Sequence, residues 1–130
     1  MTPLLRKLGL KPGKRACFLH APPHYADLLG PLPDGVLVLD TPAPPMDFIH
    51  YFTPHHPALA HDFPHLKATL AFDGMLWVSW PKKTSALPSD LDANIVRAIG
   101  LSGGLVDVKV CAVDADWSAL KFVYRLKDRR

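Results

Sequence analysis

The run Gly74-Met75-Leu76-Trp77-Val78-Ser79-Trp80-Pro81-Lys82-Lys83 restricts the possible folds most. Its apolar, β-favouring residues follow one another without alternation. That is the pattern of a strand covered on both faces, as in the centre of a parallel sheet. Asp73-Gly74 reads as the turn that starts the strand. Pro81 cannot donate to a sheet ladder, so the strand should stop there. Lys82 and Lys83 then emerge at its carboxyl end, where open α/β sheets bind ligands.

Helical patterns flank this run. Leu59, Phe63, Leu66 and Leu70 recur at near-helical spacing over Pro57 to Ala71, and Pro64 should kink that helix or start a second one. Downstream, Ser89 reads as an N-cap with Asp92 in the capping-box position. The helix it opens carries Leu91, Ile95, Val96 and Ile99 and stops near Gly100.

Upstream, Thr2 to Leu10 predicts a short amphipathic helix capped by Thr2, with Pro3 at its first position and Gly9 at its end. Lys14 to His20 reads as the first strand, closed by Ala21-Pro22-Pro23. His24 to Leu29 is a short helix. Val36 to Leu39 predicts a second buried strand. A proline-rich connector, Thr41 to Pro45, leads to a third strand at Asp47 to Phe52.

At the other end, Leu105 to Val113 and Trp117 to Leu126 read as two strands. The short link Asp114-Ala115-Asp116 makes them antiparallel. Val106, Val108 and Val110 share one face; Asp107, Lys109 and Cys111 share the other, where Asp107 and Lys109 would pair with Lys121. Trp77, Val78, Val108 and Val110 are expected in the core. The sum is an α/β fold of three layers: a mostly parallel, Rossmann-like sheet of about six strands with a C-terminal antiparallel hairpin. The second strand should lie on one side of the first and the third on the other, with a crossover bringing the fourth beside the third.

Residues 1–130 are expected to form one α/β domain, and 48% hydrophobic content with 21% charged residues suits a packed core. The formal charge of +3 comes largely from the ends: Arg6, Lys7, Lys11, Lys14 and Arg15, then Lys121, Arg125, Lys127, Arg129 and Arg130. Such ends read as solvated, and nucleic acid is not the expected partner. No apolar run has the length of a membrane span, and no apolar segment follows the first basic residues. The two cysteines, Cys17 and Cys111, lie in apolar strand-like runs and read as buried, reduced thiols of a cytoplasmic protein. The 14 prolines fall mostly between elements, where they stiffen loops.

Two segments carry a family resemblance: Gly74 to Lys83, and Gly104-Leu105-Val106-Asp107-Val108-Lys109-Val110-Cys111-Ala112-Val113-Asp114 with Trp117-Ser118-Ala119-Leu120-Lys121-Phe122-Val123. Together they resemble an uncharacterised bacterial family, domain-of-unknown-function family 3052, which implies no known activity and no catalytic residues. A more distant resemblance is to the class I S-adenosylmethionine methyltransferase-like fold. It rests on the strand at Asp47, the leucine-bearing helix, the strand after Asp73-Gly74 and the terminal hairpin. That resemblance implies a glycine-rich turn after the first strand and an acidic ribose contact, which maps to Asp40. The turn here is His20-Ala21-Pro22-Pro23-His24, without glycine and with two prolines that remove backbone donors. A reduced methyltransferase-like fold that does not bind S-adenosylmethionine tightly is therefore expected, and no cofactor.

A ligand, if present, should sit at the carboxyl ends of the first, third and fourth strands. His20, His24, Thr53, His55, Trp80, Lys82 and Lys83 would gather there around a small anion. Trp77 and Trp80 differ in parity, so Trp77 faces core and Trp80 serves as a pocket wall. His61 and His65 stand four residues apart, but no H-E-x-x-H accompanies them and no metal site is expected. No G-x-S-x-G, P-loop or G-x-G-x-x-G is present, and no catalytic residue is assigned. The expected role is binding of a small anionic ligand or a protein partner. The alternatives are an enzyme acting on a small anionic substrate through Lys82, Lys83 and a histidine, and a weak nucleic-acid binder using the basic termini.

The cysteine reading has a direct check. Thiol titration without reductant should find both Cys17 and Cys111 after denaturation and neither readily in the native protein; fewer than two thiols in the denatured chain contradicts it.

Overall fold

The computed structural model describes residues 3–129. Its elements are α1 (Leu4–Leu8), β1 (Arg15–Leu19), α2 (Tyr25–Leu29), β2 (Leu37–Leu39), β3 (Met46–Phe52), α3 (His56–Thr69), β4 (Leu70–Pro81), α4 (Ala93–Ser102), β5 (Leu105–Ala112) and β6 (Trp117–Tyr124). A 3₁₀ turn, Leu126–Asp128, follows. The six strands form one sheet in the order β2-β1-β3-β4-β6-β5. β1 to β4 are parallel, and β6 inserts antiparallel between β4 and β5. The expected α/β architecture, with β2 and β3 on either side of β1, is what forms.

Parity along β4 separates two cores. Trp77 packs with Leu4, Leu8, Tyr25, Phe48, Phe52 and Trp117 on the α1 and α2 side. Val78 and Trp80 pack with Tyr51, Leu59, Phe63, Leu66, Val96 and Phe122 beneath α3 and α4. Both cysteines are free and buried. Among the described residues no helix is long and apolar enough to cross a membrane.

Several local expectations are corrected. β4 begins at Leu70, so Asp73-Gly74 lies inside the strand. The ladder to β3 jumps from Met46↔Leu70 to Phe48↔Met75, so the surplus residues of β4 bulge there. Gly74 sits at the closest approach: a Cβ would lie 2.7 Å from the Met46 carbonyl oxygen. β2 is an exposed edge, not a buried strand, with Leu37 and Val38 at 54% and 44% exposure. Val108 and Val110 are exposed as well, because a bulge between Asp107 and Lys109 breaks the alternation on the other edge strand. Leu105, Cys111 and Val113 are the residues of this segment that reach the core.

Charge pairing follows the bulge. Asp107 takes the Arg97 guanidinium of α4 at 2.9 Å, while Lys109 comes to lie opposite Lys121. At the helix ends, Asp92 itself is the N-cap of α4, accepting from the Ile95 amide at 2.9 Å. Ser89 instead accepts from Leu91 in the preceding loop. Pro3 takes the N-cap position of α1 rather than its first helical position, and Thr2 lies outside the described residues. Gly9 ends α1 in the left-handed conformation. α3 runs through Pro64 as one helix, its buried Leu59, Phe63 and Leu66 holding it on the sheet where the backbone bond is lost.

α4 approaches β6 closely at Gly100, where a Cβ would lie 2.0 Å from Phe122 Cε1. Gly100→Ala should therefore lose about 1–3 kcal/mol of unfolding free energy despite its better helix propensity. Urea titration checks this; an unchanged or raised midpoint contradicts the packing.

Candidate functional site

The parallel strands β1, β3 and β4 end on one side of the sheet, and the β5–β6 turn arrives at the same side because β6 runs the other way. β1 leaves through His20, which adopts φ 58°, a left-handed conformation uncommon outside glycine. The His20 ring meets Tyr51 edge-on at 5.7 Å. The Tyr51 hydroxyl donates to Asp62 at 2.5 Å; burial first, then this contact, pushes the phenol pKa up.

The prolines carry the chain to α2, whose Tyr25 amide donates to the Pro22 carbonyl at 3.0 Å. His24 Nε2 meets Asp114 Oδ2 at 2.6 Å, with the His24 side chain 48% exposed. The other oxygen of Asp114 accepts the amides of Asp116 and Trp117 at 2.8 and 2.9 Å. Burial opposes ionisation of Asp114, but the His24 bond and these amides outweigh it and hold the carboxyl below its usual range. The first-strand exit is thus tied to the β5–β6 turn.

The loop after β4 is tied on both sides. The Lys82 amide donates to the Asp116 carbonyl at 2.7 Å, and Ser85 Oγ donates to Asp116 Oδ1 at 2.8 Å. Ser89 Oγ donates to the Pro54 carbonyl at 2.8 Å, and the His56 amide to Asp90 at 2.6 Å. A cavity of about 260 Å³ opens here, lined by Pro81, Lys82, Lys83, Leu87, Ser89 and Leu91.

The seven residues expected around a ligand all occur at this end but do not share one pocket. Lys82 and Lys83 line the cavity. Thr53 is buried, its hydroxyl accepting the His55 amide at 3.2 Å, and His55 is exposed beside it. His20 packs on Tyr51 and His24 on Asp114. Trp80, 5% exposed, is core rather than pocket wall. Asp40 lies exposed just beyond the edge strand β2. His61 and His65 have ring centroids 5.8 Å apart on α3; among the described residues no group of three or more His, Cys, Asp or Glu is placed to hold a metal ion.

One polar cluster escaped the sequence reading. His50 of β3, fully buried, bonds through Nδ1 to the Tyr25 hydroxyl at 2.6 Å and through Nε2 to Ser79 Oγ at 2.7 Å. A neutral imidazole donates from one nitrogen and accepts at the other, so both contacts can be satisfied together. Burial lowers the His50 pKa to about 3. The cluster fixes α2, and so the exit turn, against β3 and β4. Its signal was a histidine between Phe48 and Phe52 on the buried face of a strand.

No family model matches the chain, so the resemblance to domain-of-unknown-function family 3052 finds no support there, and no curated protein matches it either. Solved structures do. A SAM-dependent methyltransferase from Aquifex aeolicus aligns with a TM-score of 0.66 at 16% identity, over 92% of this chain and 86% of its own. Magnesium protoporphyrin IX methyltransferase (ChlM) from Synechocystis PCC 6803 gives 0.60 at 12% identity, over 93% and 78%. Aeropyrum pernix fibrillarin, solved with natively bound S-adenosyl-L-methionine, gives 0.59 at 13% identity, over 94% and 69%. This chain has the fold of the class I S-adenosylmethionine-dependent methyltransferases.

The buried imidazole makes stability depend on pH. Its folded pKa of about 3 lies below the ordinary 6.5, so between these values the unfolded chain binds the extra proton. Stability should fall as pH drops below about 6.5, by up to ~1.4 kcal/mol per pH unit for this one group. His50→Gln should lose about 1–3 kcal/mol at neutral pH and flatten that slope. Urea titrations of both proteins across this range check it; equal slopes contradict the assignment.

Proposed function

We propose that this chain is a binding protein built on the methyltransferase fold, without methyl-transfer activity. Its ligand is a small anion held at the carboxyl ends of the parallel strands by Lys82 and Lys83, in a cytoplasmic protein. The resemblance to family 3052 belongs to the same proposal. One observation carries the reading: the first-strand exit, His20-Ala21-Pro22-Pro23-His24, has no glycine, withholds two amide donors and is tied down by the His24–Asp114 contact. A cofactor laid across that exit needs close approach to a glycine-lined backbone. The β4 exit supports the other half. Lys82 and Lys83 line a cavity, and among the described residues neither has a carboxylate within ion-pair distance. Lysines at a strand end hold phosphate or carboxylate groups as point charges.

The 2.6 Å contact between half-exposed His24 and Asp114 supports a second reading, an enzyme on a small anionic substrate. Asp114 orients the imidazole there through Nε2 and leaves Nδ1 turned away from the carboxylate, as a general acid or base would need.

Thermal-shift screening of small carboxylates and phosphate esters separates these ideas from mere surface charge. Carboxylates that stabilise the wild type should lose that effect in Lys82→Ala/Lys83→Ala, which should melt within ~0.5 kcal/mol of the wild type. Equal stabilisation of both proteins by every hit would remove the two lysines from the site.

A further inference from the structure

The second cationic cluster lies on the α1 face of the hairpin, away from the β4 exit. The hairpin register places Lys109 directly opposite Lys121, and Lys121 opposite Trp77 of β4. Trp77 lies under α1, its indole N–H donating to the Leu8 carbonyl at 2.8 Å. Lys7 of α1 therefore arrives at the same place. Its Nζ donates to the Ala112 carbonyl of β5 at 3.2 Å, and Lys109 Nζ donates to the Lys7 carbonyl at 3.1 Å. Cys111 sits buried between the two lysines, whose charges lower its thiol pKa against the larger upward push of burial.

Like charges directly opposite in a ladder are destabilising. Nothing nearby relieves them: the two ion pairs among the described residues are His24–Asp114 and Arg97–Asp107. The bulge turns Asp107 to the α4 side, so the strand's own carboxylate is spent on Arg97. Lys121 is half-buried, and burial together with Lys109 lowers its pKa. Each ammonium has three donors. The contacts to Ala112 and to Lys7 take one each from Lys7 and Lys109 and fix where those two heads stand.

We propose that Lys7, Lys109 and Lys121 form a binding site for a single phosphate group, free or as the terminal phosphate of a small molecule. Three cations carried on a helix and two neighbouring strands match a compact dianion with several acceptor oxygens better than a monoanionic carboxylate. The sources of that phosphate differ in size, and inorganic phosphate is the smallest probe of the shared chemistry. This site is independent of the one at Lys82 and Lys83.

Calorimetry on the full chain tests it, with inorganic phosphate, a nucleoside monophosphate, acetate and a short single-stranded oligonucleotide. In Lys82→Ala/Lys83→Ala, where the β4-exit site is removed, phosphate should still bind, and adding Lys109→Gln/Lys121→Gln to that protein should weaken it at least about tenfold. Acetate should bind none of them at this site. Tighter binding of the monophosphate than of inorganic phosphate assigns the source as an esterified phosphate; equal binding assigns free phosphate. Removing the like-charge pair should leave the unliganded variant as stable as its parent or more so, and phosphate should raise the melting temperature of the wild type and of Lys82→Ala/Lys83→Ala but not of the protein carrying all four substitutions. Unchanged phosphate affinity on adding Lys109→Gln/Lys121→Gln to Lys82→Ala/Lys83→Ala overturns the proposal. So does binding lost only in Lys82→Ala/Lys83→Ala, which leaves the β4-exit reading standing. Oligonucleotide binding without phosphate binding also overturns it, in favour of an extended polyanion.

Discussion

A buried indole N–H needs an acceptor, and in this protein that requirement fixes the arrangement of one whole layer. Trp77, fully buried in the middle of β4, donates to the Leu8 carbonyl, one of the groups that the C-terminus of α1 leaves unpaired. A single hydrogen bond thus satisfies two groups that would otherwise be stranded in an apolar core. It sets α1 over the central strands, and Lys7 is carried against β5 as a consequence. The same sheet row runs from Phe18 through His50, Trp77 and Lys121 to Lys109, so the core, the buried polar cluster and the cationic edge share one register.

The carboxyl end of the sheet follows from how polar groups are satisfied there. No buried side-chain nitrogen or oxygen among the described residues lacks a partner. The turns after β1, β3 and β4 are tied to one another and to the β5–β6 turn through Asp114, Asp116, Asp90 and Pro54. Tyr25 is anchored from below by His50, which Ser79 holds in turn. The first-strand exit is therefore lined by prolines and held from two sides. The pocket that remains lies at the β4 exit, where Lys82 and Lys83 stand.

Much of the fold was legible because apolar runs bounded by proline and glycine report burial directly. Gly74 to Pro81, Cys17 with its neighbours and Phe48 to Phe52 all became central strands for that reason. The edges were not legible. Leu37, Val38, Val108 and Val110 are as apolar as the core strands but belong to edge strands, and a bulge shifts the parity of one of them. Periodicity says which residues share a face, not which strand ends up outermost. The placement of Lys82 and Lys83 at a strand end was legible, since position in a parallel sheet follows from strand ends. The contacts of His24 and His50 were not, because their partners Asp114, Tyr25 and Ser79 are distant in sequence and meet only once the sheet is assembled.

The central claim is that a methyltransferase fold persists here with its cofactor exit closed. Titration calorimetry of the full chain with S-adenosylmethionine, and with S-adenosylhomocysteine as the product form, addresses it most directly. The account predicts no saturable binding of either below about 1 mM. A micromolar dissociation constant for either would contradict it, and would mean that the His20 to His24 turn opens to admit the cofactor.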